Sequence, residues 1–98
     1  MIIRIFRATV PVELHEEFWE KFKEISIPLV KTQKGLVAMD IGRPTLWSPL
    51  EFVMISKWES EANLEDFVGE QWNQAHIPNG MEKYILECWV HHYKVEDV

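Results

Sequence analysis

The residues with the clearest chemical potential lie in one short segment, WNQAHIPNG at 72–80. Trp72 and His76 are four residues apart, so a helix would place the indole and the imidazole on one face. A neutral imidazole can accept a proton or bind a metal near neutral pH. The Ile-Pro and Asn-Gly pairs that follow predict that the helix stops there. The segment therefore predicts a ligand pocket at a helix end or, alternatively, a core histidine bonded to a backbone carbonyl.

Other groups that could do chemistry lack the neighbours that they would need. His91 and His92 are adjacent, and adjacent side chains of a strand point to opposite faces, so the two do not form a metal pair. His15 opens HEEFW, where a zinc-protease helix would need a second histidine in place of Trp19. The single cysteine, Cys88, excludes an internal disulfide and fits a reducing compartment. No metal site is predicted.

The elements that must position these residues follow from the hydrophobic spacing. The order strand, helix, strand, strand, helix, strand predicts an α+β, ferredoxin-like βαββαβ fold. Pro28 is expected to kink or shorten the first helix, and Gly35 to end it. The predicted strands are 1–10, 36–43, 51–58 and 84–95; the helices begin at Pro11 and after Ser60, the second with an apolar stripe of Leu64, Phe67, Val68 and Trp72.

Two of the predicted strands are apolar on both faces. In 51–58, one face carries Phe52, Met54, Ser56 and Trp58, and the other carries Val53 and Ile55. Two helices can cover only one face of a sheet, and the uncovered face of an antiparallel sheet is normally polar. The second apolar face, together with five tryptophans, predicts that the sheet packs on a second copy in a homodimer.

Composition excludes several classes of partner. Sixteen acidic and ten basic residues give a formal charge of −6, whereas nucleic acids and anionic membrane surfaces require a basic patch. No apolar run reaches the roughly 20 residues of a membrane span, and the opening MIIRIFR does not have the apolar region of a signal peptide. The chain is therefore expected to be one soluble, cytoplasmic domain over 1–98.

Two segments resemble the antibiotic-biosynthesis-monooxygenase family. FVMISKWESEANLEDFVGEQWNQAH (52–76) is similar to the hydrophobic strand, W-x-S turn, helix and late histidine of that family, and LVKTQKGLVAMDIGR (29–43) is similar to its helix-to-strand segment. The resemblance covers nearly the whole chain. It implies a dimeric α+β barrel and a single domain of this type, and it identifies the fold better than the reaction.

Haem-degrading members of the family use three residues, of which this chain matches one. The resemblance places His76 at the position of the iron ligand. Phe6 (or Arg7, if the register slips) stands at the asparagine position of the first strand, and Phe67 stands at the tryptophan position of the second helix. These differences disfavour ordinary haem degradation. Haem nevertheless stays open as a cofactor, with His76 as its axial ligand.

Cofactor-free oxygenases of the family act on polycyclic phenols and quinols. The resemblance carries over Trp58 as a pocket wall, and Met54 stands at the position of an asparagine. The predicted function is a cofactor-independent monooxygenase for a planar phenol or quinol. A haem-binding protein and a non-catalytic binding or accessory module are the alternatives. The predicted catalytic residue is His76, and the predicted substrate-binding residues are Trp58, Trp72, Met54, Phe67 and Phe6.

Overall fold

A four-stranded antiparallel sheet is the centre of the computed structural model, which describes all 98 residues. The strands lie in the order β2-β3-β1-β4, so the predicted ferredoxin-like α+β fold is confirmed. Pairing of β1 with both β3 and β4 makes β1 a central strand. The elements are β1 (Ile2–Thr9), α1 (His15–Lys21), α2 (Ile27–Lys31), β2 (Leu36–Gly42), β3 (Glu51–Trp58), α3 (Glu61–Val68) and β4 (Glu87–Lys94).

The first helical region contains a widened turn. A 3-10 turn (Val12–Leu14) leads into α1, and a π-helical turn (Phe22–Ser26) joins α1 to α2. Pro28 has no N–H to donate to the carbonyl four residues earlier, and its ring would crowd that carbonyl in a regular α-helix. The π turn directly before it accommodates this misfit. Pro28 therefore does not shorten the helix, which continues to Lys31.

Gly35 ends the first helical region, as predicted. Its φ of 89° lies in the left-handed region that favours glycine. A Cβ atom at this position would lie 2.3 Å from Cγ of Asn63, so the close approach also excludes a side chain.

One face of the sheet packs under the helices, and strand register decides which residues occupy it. In β3 the alternation is complete, since Phe52, Met54, Ser56 and Trp58 are all buried. The pairs Ile2↔Trp58, Arg4↔Ser56 and Phe6↔Met54 place the matching residues of β1 on the same face. We call this the inner face. It joins the buried helix residues Phe18, Phe22, Val30 and Leu64 in one hydrophobic core.

The opposite, outer face has no helix over it. Its apolar residues are Ile3 and Ile5 of β1, Val53 and Ile55 of β3, and Trp89 of β4. None of them belongs to the hydrophobic core or packs against it. The predicted second apolar face is thus present. The outer face was expected to account for the five tryptophans, but it contains only Trp89.

A bulge in β2 controls which of its side chains face the core. Leu36 pairs with Trp58 and Ala38 with Lys57, so Val37 is an extra residue opposite this pair. The insertion changes the alternation. Leu36, Met39 and Ile41 consequently all pack against the core, although a regular strand would point Leu36 away from the other two.

The second helix is shorter than predicted. Oγ of Ser60 caps it by accepting from the Asn63 N–H at 3.1 Å, as expected. The helix ends at Val68, because Gly69 follows with a φ of 90° and its N–H donates to the Glu65 carbonyl. Prediction of a helix through Trp72 was wrong, since this glycine acts before the proline at 78.

The chain between α3 and β4 has no α-helix and contains only the 3-10 turn Glu82–Tyr84. We call residues 69–86 the strap. The fourth strand begins at Glu87 rather than at 84, since Tyr84 lies in that turn and is buried. No helix of the chain has the length and apolar character that crossing a membrane requires.

Candidate functional site

An apolar cavity lies between the inner face, the first helical region and the strap. Eleven of its sixteen lining residues are hydrophobic, and its volume is about 40 Å³. A single water needs roughly 10–15 Å³ of such space, whereas pockets for drug-sized ligands are typically ~300–1,000 Å³. The cavity adjoins the sheet face that carries Met54, Ser56 and Trp58. In this conformation it is too small for an aromatic ligand, so the strap would have to move to admit one.

Aromatic rings form one wall of the cavity. The rings of Trp58 and Phe67 are stacked, with centroids 5.6 Å apart and an interplanar angle of 19°. Trp58 is fully buried, and its Nε1–H donates to Oγ of Ser56 at 3.0 Å. Met54 and Phe6 pair across β3 and β1 and also line the cavity. Four of the predicted substrate-binding residues thus lie together.

His76 lies at the mouth of the cavity, on the strap. It is exposed to solvent and lines the cavity, and its ring centroid is 5.3 Å from that of Phe67. Neither ring nitrogen is hydrogen-bonded within the chain, so the alternative of an imidazole tied to a backbone carbonyl is not what the structure shows. An exposed imidazole beside an apolar cavity can exchange a proton between a bound ligand and water.

Trp72 lies away from the cavity. Its Nε1–H donates to Oε1 of Glu65 at 3.2 Å, and its ring meets that of His92 edge-on at 4.5 Å. The expectation that Trp72 and His76 share a helix face is wrong, because Gly69 ends the helix before either residue. The structure therefore brings Trp72 to β4 rather than to the lining residues.

Polar groups in the cavity wall include Ser56, which the sequence analysis placed on the same face as Met54 and Trp58, and Ser26, which it did not single out. Ser56 accepts from Trp58, so its own hydroxyl hydrogen is free to donate. Ser26 is also buried and lines the cavity from the π turn, a type of distortion that is frequent at functional sites.

Arg4 is the most unusual residue of the cavity, and it too was missed. Its side chain is on the inner face, and the residue is 6% exposed. Nη1 donates to the Trp72 carbonyl at 2.7 Å and to Nε2 of His92 at 2.9 Å, and Nη2 donates to the Gln74 carbonyl at 3.2 Å. Burial lowers the pKa of Arg4 to about 10, so the guanidinium remains charged at neutral pH. The available signal was an arginine within an apolar strand, which does not by itself show the face to which the side chain points.

His92 is held neutral by its partial burial and by the neighbouring Arg4. Burial lowers the pKa of His92 from 6.5 to about 4, with further lowering by the charges of Arg4 and His91. Because Nε2 accepts from the guanidinium, the imidazole proton is assigned to Nδ1. His91 is exposed on the outer face and His92 is on the inner face, so the two point apart as predicted.

The lowered pKa of His92 makes stability depend on pH. As pH falls below 6.5, the unfolded chain protonates at this residue, whereas the folded chain does so only near pH 4. The stabilisation is therefore present above pH 6.5 and is lost towards pH 4. After discounting for the solvent exposure of the ring, we expect a loss of about 1 kcal/mol in the free energy of unfolding.

Urea unfolding at pH 7 and pH 4.5 checks this prediction. His92→Gln should lose less stability than the wild type between the two pH values, and His91→Gln should lose nearly as much as the wild type, since His91 is the smallest cause of the lowered pKa. Equal pH dependence of the wild type and His92→Gln would contradict it. The wild type and His92→Gln share all other titrating groups, so the comparison of these two proteins isolates the imidazole of His92.

A metal or haem finds little support in the arrangement of side chains. No group of three or more His, Cys, Asp or Glu side chains is placed to hold a metal ion. Pockets for ligands and cofactors are typically ~300–1,000 Å³, whereas the cavity measures about 40 Å³. The imidazole of His76 is exposed, as an axial ligand of haem would have to be. The cavity beside it, however, is closed by Ile77, Pro78 and Met81. In this conformation the cavity has no room for a haem, so binding one would require the strap to move, as it would for any aromatic ligand.

Comparisons with known proteins agree on the fold. The family profile described as antibiotic biosynthesis monooxygenase matches residues 1–77. A conserved protein from Methanosarcina mazei Go1 is similar in structure, with a TM-score of 0.74, 18% identity and coverage of 98% of this chain and 94% of that chain. The structure of the haem-degrader MhuD from Mycobacterium tuberculosis, with two haems bound in its active site, has a TM-score of 0.72 and 17% identity. The match covers 100% of this chain and 99% of that chain.

A third structure, that of an antibiotic biosynthesis monooxygenase, has a TM-score of 0.72 and 13% identity, covering 99% of this chain and 100% of that chain. Among curated proteins, no sequence matches the chain. At these identities the structural similarities establish the fold alone.

Proposed function

Because the chain belongs to the antibiotic biosynthesis monooxygenase family, we propose that its cavity binds a planar phenol or quinol and that the protein oxidises this ligand with O2. The observation that carries the proposal is the stacked wall of Trp58 and Phe67 with His76 beside it. An apolar, aromatic wall favours a planar ring. The imidazole at the mouth supplies the one group that can remove a phenolic proton.

The proposed reaction needs no additional reductant. His76 accepts the phenolic proton, and the resulting phenolate gives electrons to O2. One oxygen atom becomes the new ring carbonyl and the other leaves as water, so that a phenol and O2 yield a quinone and H2O. The hydrogens of that water come from the phenolic O–H and from the ring C–H that is oxidised. The cavity would contribute by excluding water and by orienting the ring.

The strap is proposed to admit the ligand. Ile77, Pro78 and Met81 close the cavity from this segment. Few backbone hydrogen bonds hold it, among them Gln74 N–H to the Gln71 carbonyl and Met81 N–H to the Pro78 carbonyl. A segment with so little regular hydrogen bonding is the part of the structure that opens most readily. Residues 77–82 are thus proposed to act as a flap at the mouth of the cavity.

Oxygen uptake in the presence of 1-naphthol or anthrone tests the proposed activity. The wild type should consume O2 and incorporate one labelled atom from ¹⁸O2 into the product, detected by mass spectrometry. His76→Ala should lose this turnover by ~100-fold or more, within the range typical of removing a general base. Its affinity for the ligand should change little, since the proposed work of His76 is proton transfer.

His91→Ala is the matched control, because it removes an imidazole that is exposed on the outer face, away from the cavity. It should retain wild-type turnover. Turnover that survives in His76→Ala would contradict the assignment of the base. Ligand binding without O2 uptake in the wild type would identify the chain as the non-catalytic binding module instead.

We also propose that the protein is a homodimer that packs through the outer face. Ile3, Ile5, Val53, Ile55 and Trp89 form one apolar surface that the helices of the chain leave uncovered. Apolar surface of this kind is usually buried in an assembly. A two-fold contact would place the same residues of both copies against each other.

A further inference from the structure

Arg4 is a buried cation without a buried anion. All four ion pairs of the chain use other residues, and each of these has a substantially exposed side chain. The partners of Arg4 are two backbone carbonyls and a neutral imidazole. Burial of a charged group is costly unless an opposite charge or several hydrogen bonds compensate it. The positive charge on the inner face is thus only partly compensated.

The guanidinium has unused donors. It carries five N–H groups, of which Nη1 uses two and Nη2 uses one in the hydrogen bonds of the chain. The Nε–H and the second Nη2 hydrogen therefore have no partner. Adjacent N–H groups of this kind are the ones with which arginine binds a carboxylate or another oxyanion in two parallel hydrogen bonds.

The surroundings of these donors favour an anion from outside the chain. Arg4 lines the cavity, and none of the sixteen lining residues is an aspartate or a glutamate. Ser56 of β3, which pairs with Arg4 of β1, also lines the cavity and has a hydroxyl hydrogen free to donate. Arg4 presents only hydrogen-bond donors to a ligand at this position, and Ser56, which already accepts from Trp58, can add its hydroxyl hydrogen.

We infer that the ligand of the cavity carries an oxyanion, either a carboxylate or a phenolate, and that Arg4 receives it. This inference rests on the proposed function in one respect, namely that the ligand is a planar aromatic molecule in this cavity. It adds the charge of the substrate and the residue that selects it. The oxyanion would occupy the end of the cavity formed by Arg4 and Ser56, and the ring would extend along Trp58.

Two probes of equal shape test the inference on the wild-type protein. Naphthalene-2-carboxylate is charged at pH 7, and naphthalene-2-carboxamide is neutral. Binding followed by tryptophan fluorescence and calorimetry should be at least ~10-fold tighter for the carboxylate, as expected for charge-assisted hydrogen bonds. A third probe, 2-naphthol, distinguishes the sources. Absorbance of the ionised form in the complex identifies a phenolate, whether its proton passes to His76 or to the buffer, and weak binding of the neutral form identifies a carboxylate ligand.

Substitution at Arg4 then assigns the preference to this residue. Arg4→Gln should bind both naphthalenes with similar affinity, and Arg4→Lys should keep part of the preference for the carboxylate. Arg43→Gln, which removes an exposed charge of the same kind, should keep all of it. Circular dichroism shows whether each variant is folded, and the wild-type comparison stands even if Arg4→Gln does not fold.

The outcomes separate the inference from the proposed function. Equal affinity of the wild type for the acid and the amide overturns the role of Arg4, whether or not oxidation occurs. A preference that survives in folded Arg4→Gln also overturns it. If the preference depends on Arg4 but no phenol is oxidised, the ligand assignment stands and the proposed reaction fails. If neither naphthalene binds, both are wrong.

Discussion

Trp58→Ala is expected to lower the free energy of unfolding by about 3–5 kcal/mol, the range typical of truncating a buried large aromatic residue. Trp58 is fully buried, stacks on Phe67 and donates a hydrogen bond to Ser56. Its removal leaves a cavity and a serine without its partner. Small domains are stable by only ~5–15 kcal/mol, so this substitution removes a large part of the total. Urea unfolding followed by circular dichroism measures the loss.

Trp47→Ala provides the matched control. It deletes the same side chain at the turn between β2 and β3, where Trp47 is 90% exposed. Surface substitutions of this kind usually change stability by no more than about 0.5 kcal/mol. Similar losses from both substitutions would show that Trp58 does not have the packing described. Ligand-binding experiments are better made with Trp58→Phe, because it keeps an aromatic ring in the core.

Ile55→Asp is expected to convert the proposed dimer into a monomer. Ile55 pairs with Ile5 on the outer face, so each two-fold contact would contain the new carboxylate twice. Burying unpaired charges at an interface costs several kcal/mol, and ~3 kcal/mol already weakens association by more than 100-fold. Light scattering at micromolar concentration should give twice the 11.7 kDa chain mass for the wild type and the single chain mass for the variant.

Val12→Asp is the control for this experiment. Val12 is an apolar residue that is 62% exposed in the 3-10 turn before α1, so the substitution adds the same charge away from the outer face. It should leave the dimer intact. A monomeric wild type, or a dimer that survives Ile55→Asp, would remove the outer face as the contact.

The sheet could be predicted from sequence because alternation is a local signal. Glu51–Trp58 was predicted to the residue, since its inward side chains are large and its neighbours are charged or β-branched. Alternation also put Met54 and Trp58 on one face, and the family resemblance assigned that face to a pocket; both residues line the cavity. Phe67 also reached the cavity, since it lies within the part of the second helix that forms.

The strap could not be predicted in the same way. Trp72 and His76 have helical spacing, but spacing alone does not show that Gly69 adopts a positive φ and ends the helix. The π turn before Pro28 is another case, because sequence indicates the misfit at the proline but not which turn widens to accommodate it.

Arg4 illustrates why the charge in the cavity was missed. The segment MIIRIFR contains two arginines, Arg4 and Arg7, and composition does not distinguish them. Arg7 lies on the outer face and forms an ion pair with Glu51 at 3.8 Å. Only the register of β1 against β3 shows which of the two points inward. The hydrogen bonds of Arg4 to the strap then join residues about 70 positions apart, and such contacts depend on tertiary structure.

The bulge at Val37 has a consequence for how copies of this chain can aggregate. β2 is an edge strand, and its free N–H and C=O groups would otherwise be a template for another strand. The extra residue twists the strand and interrupts the regular spacing of those groups, and the exposed carboxylate of Asp40 adds repulsion between two such edges. Fibre-like growth from strand to strand is thereby disfavoured at this edge, which leaves sheet-face contact as the less hindered way for copies to associate.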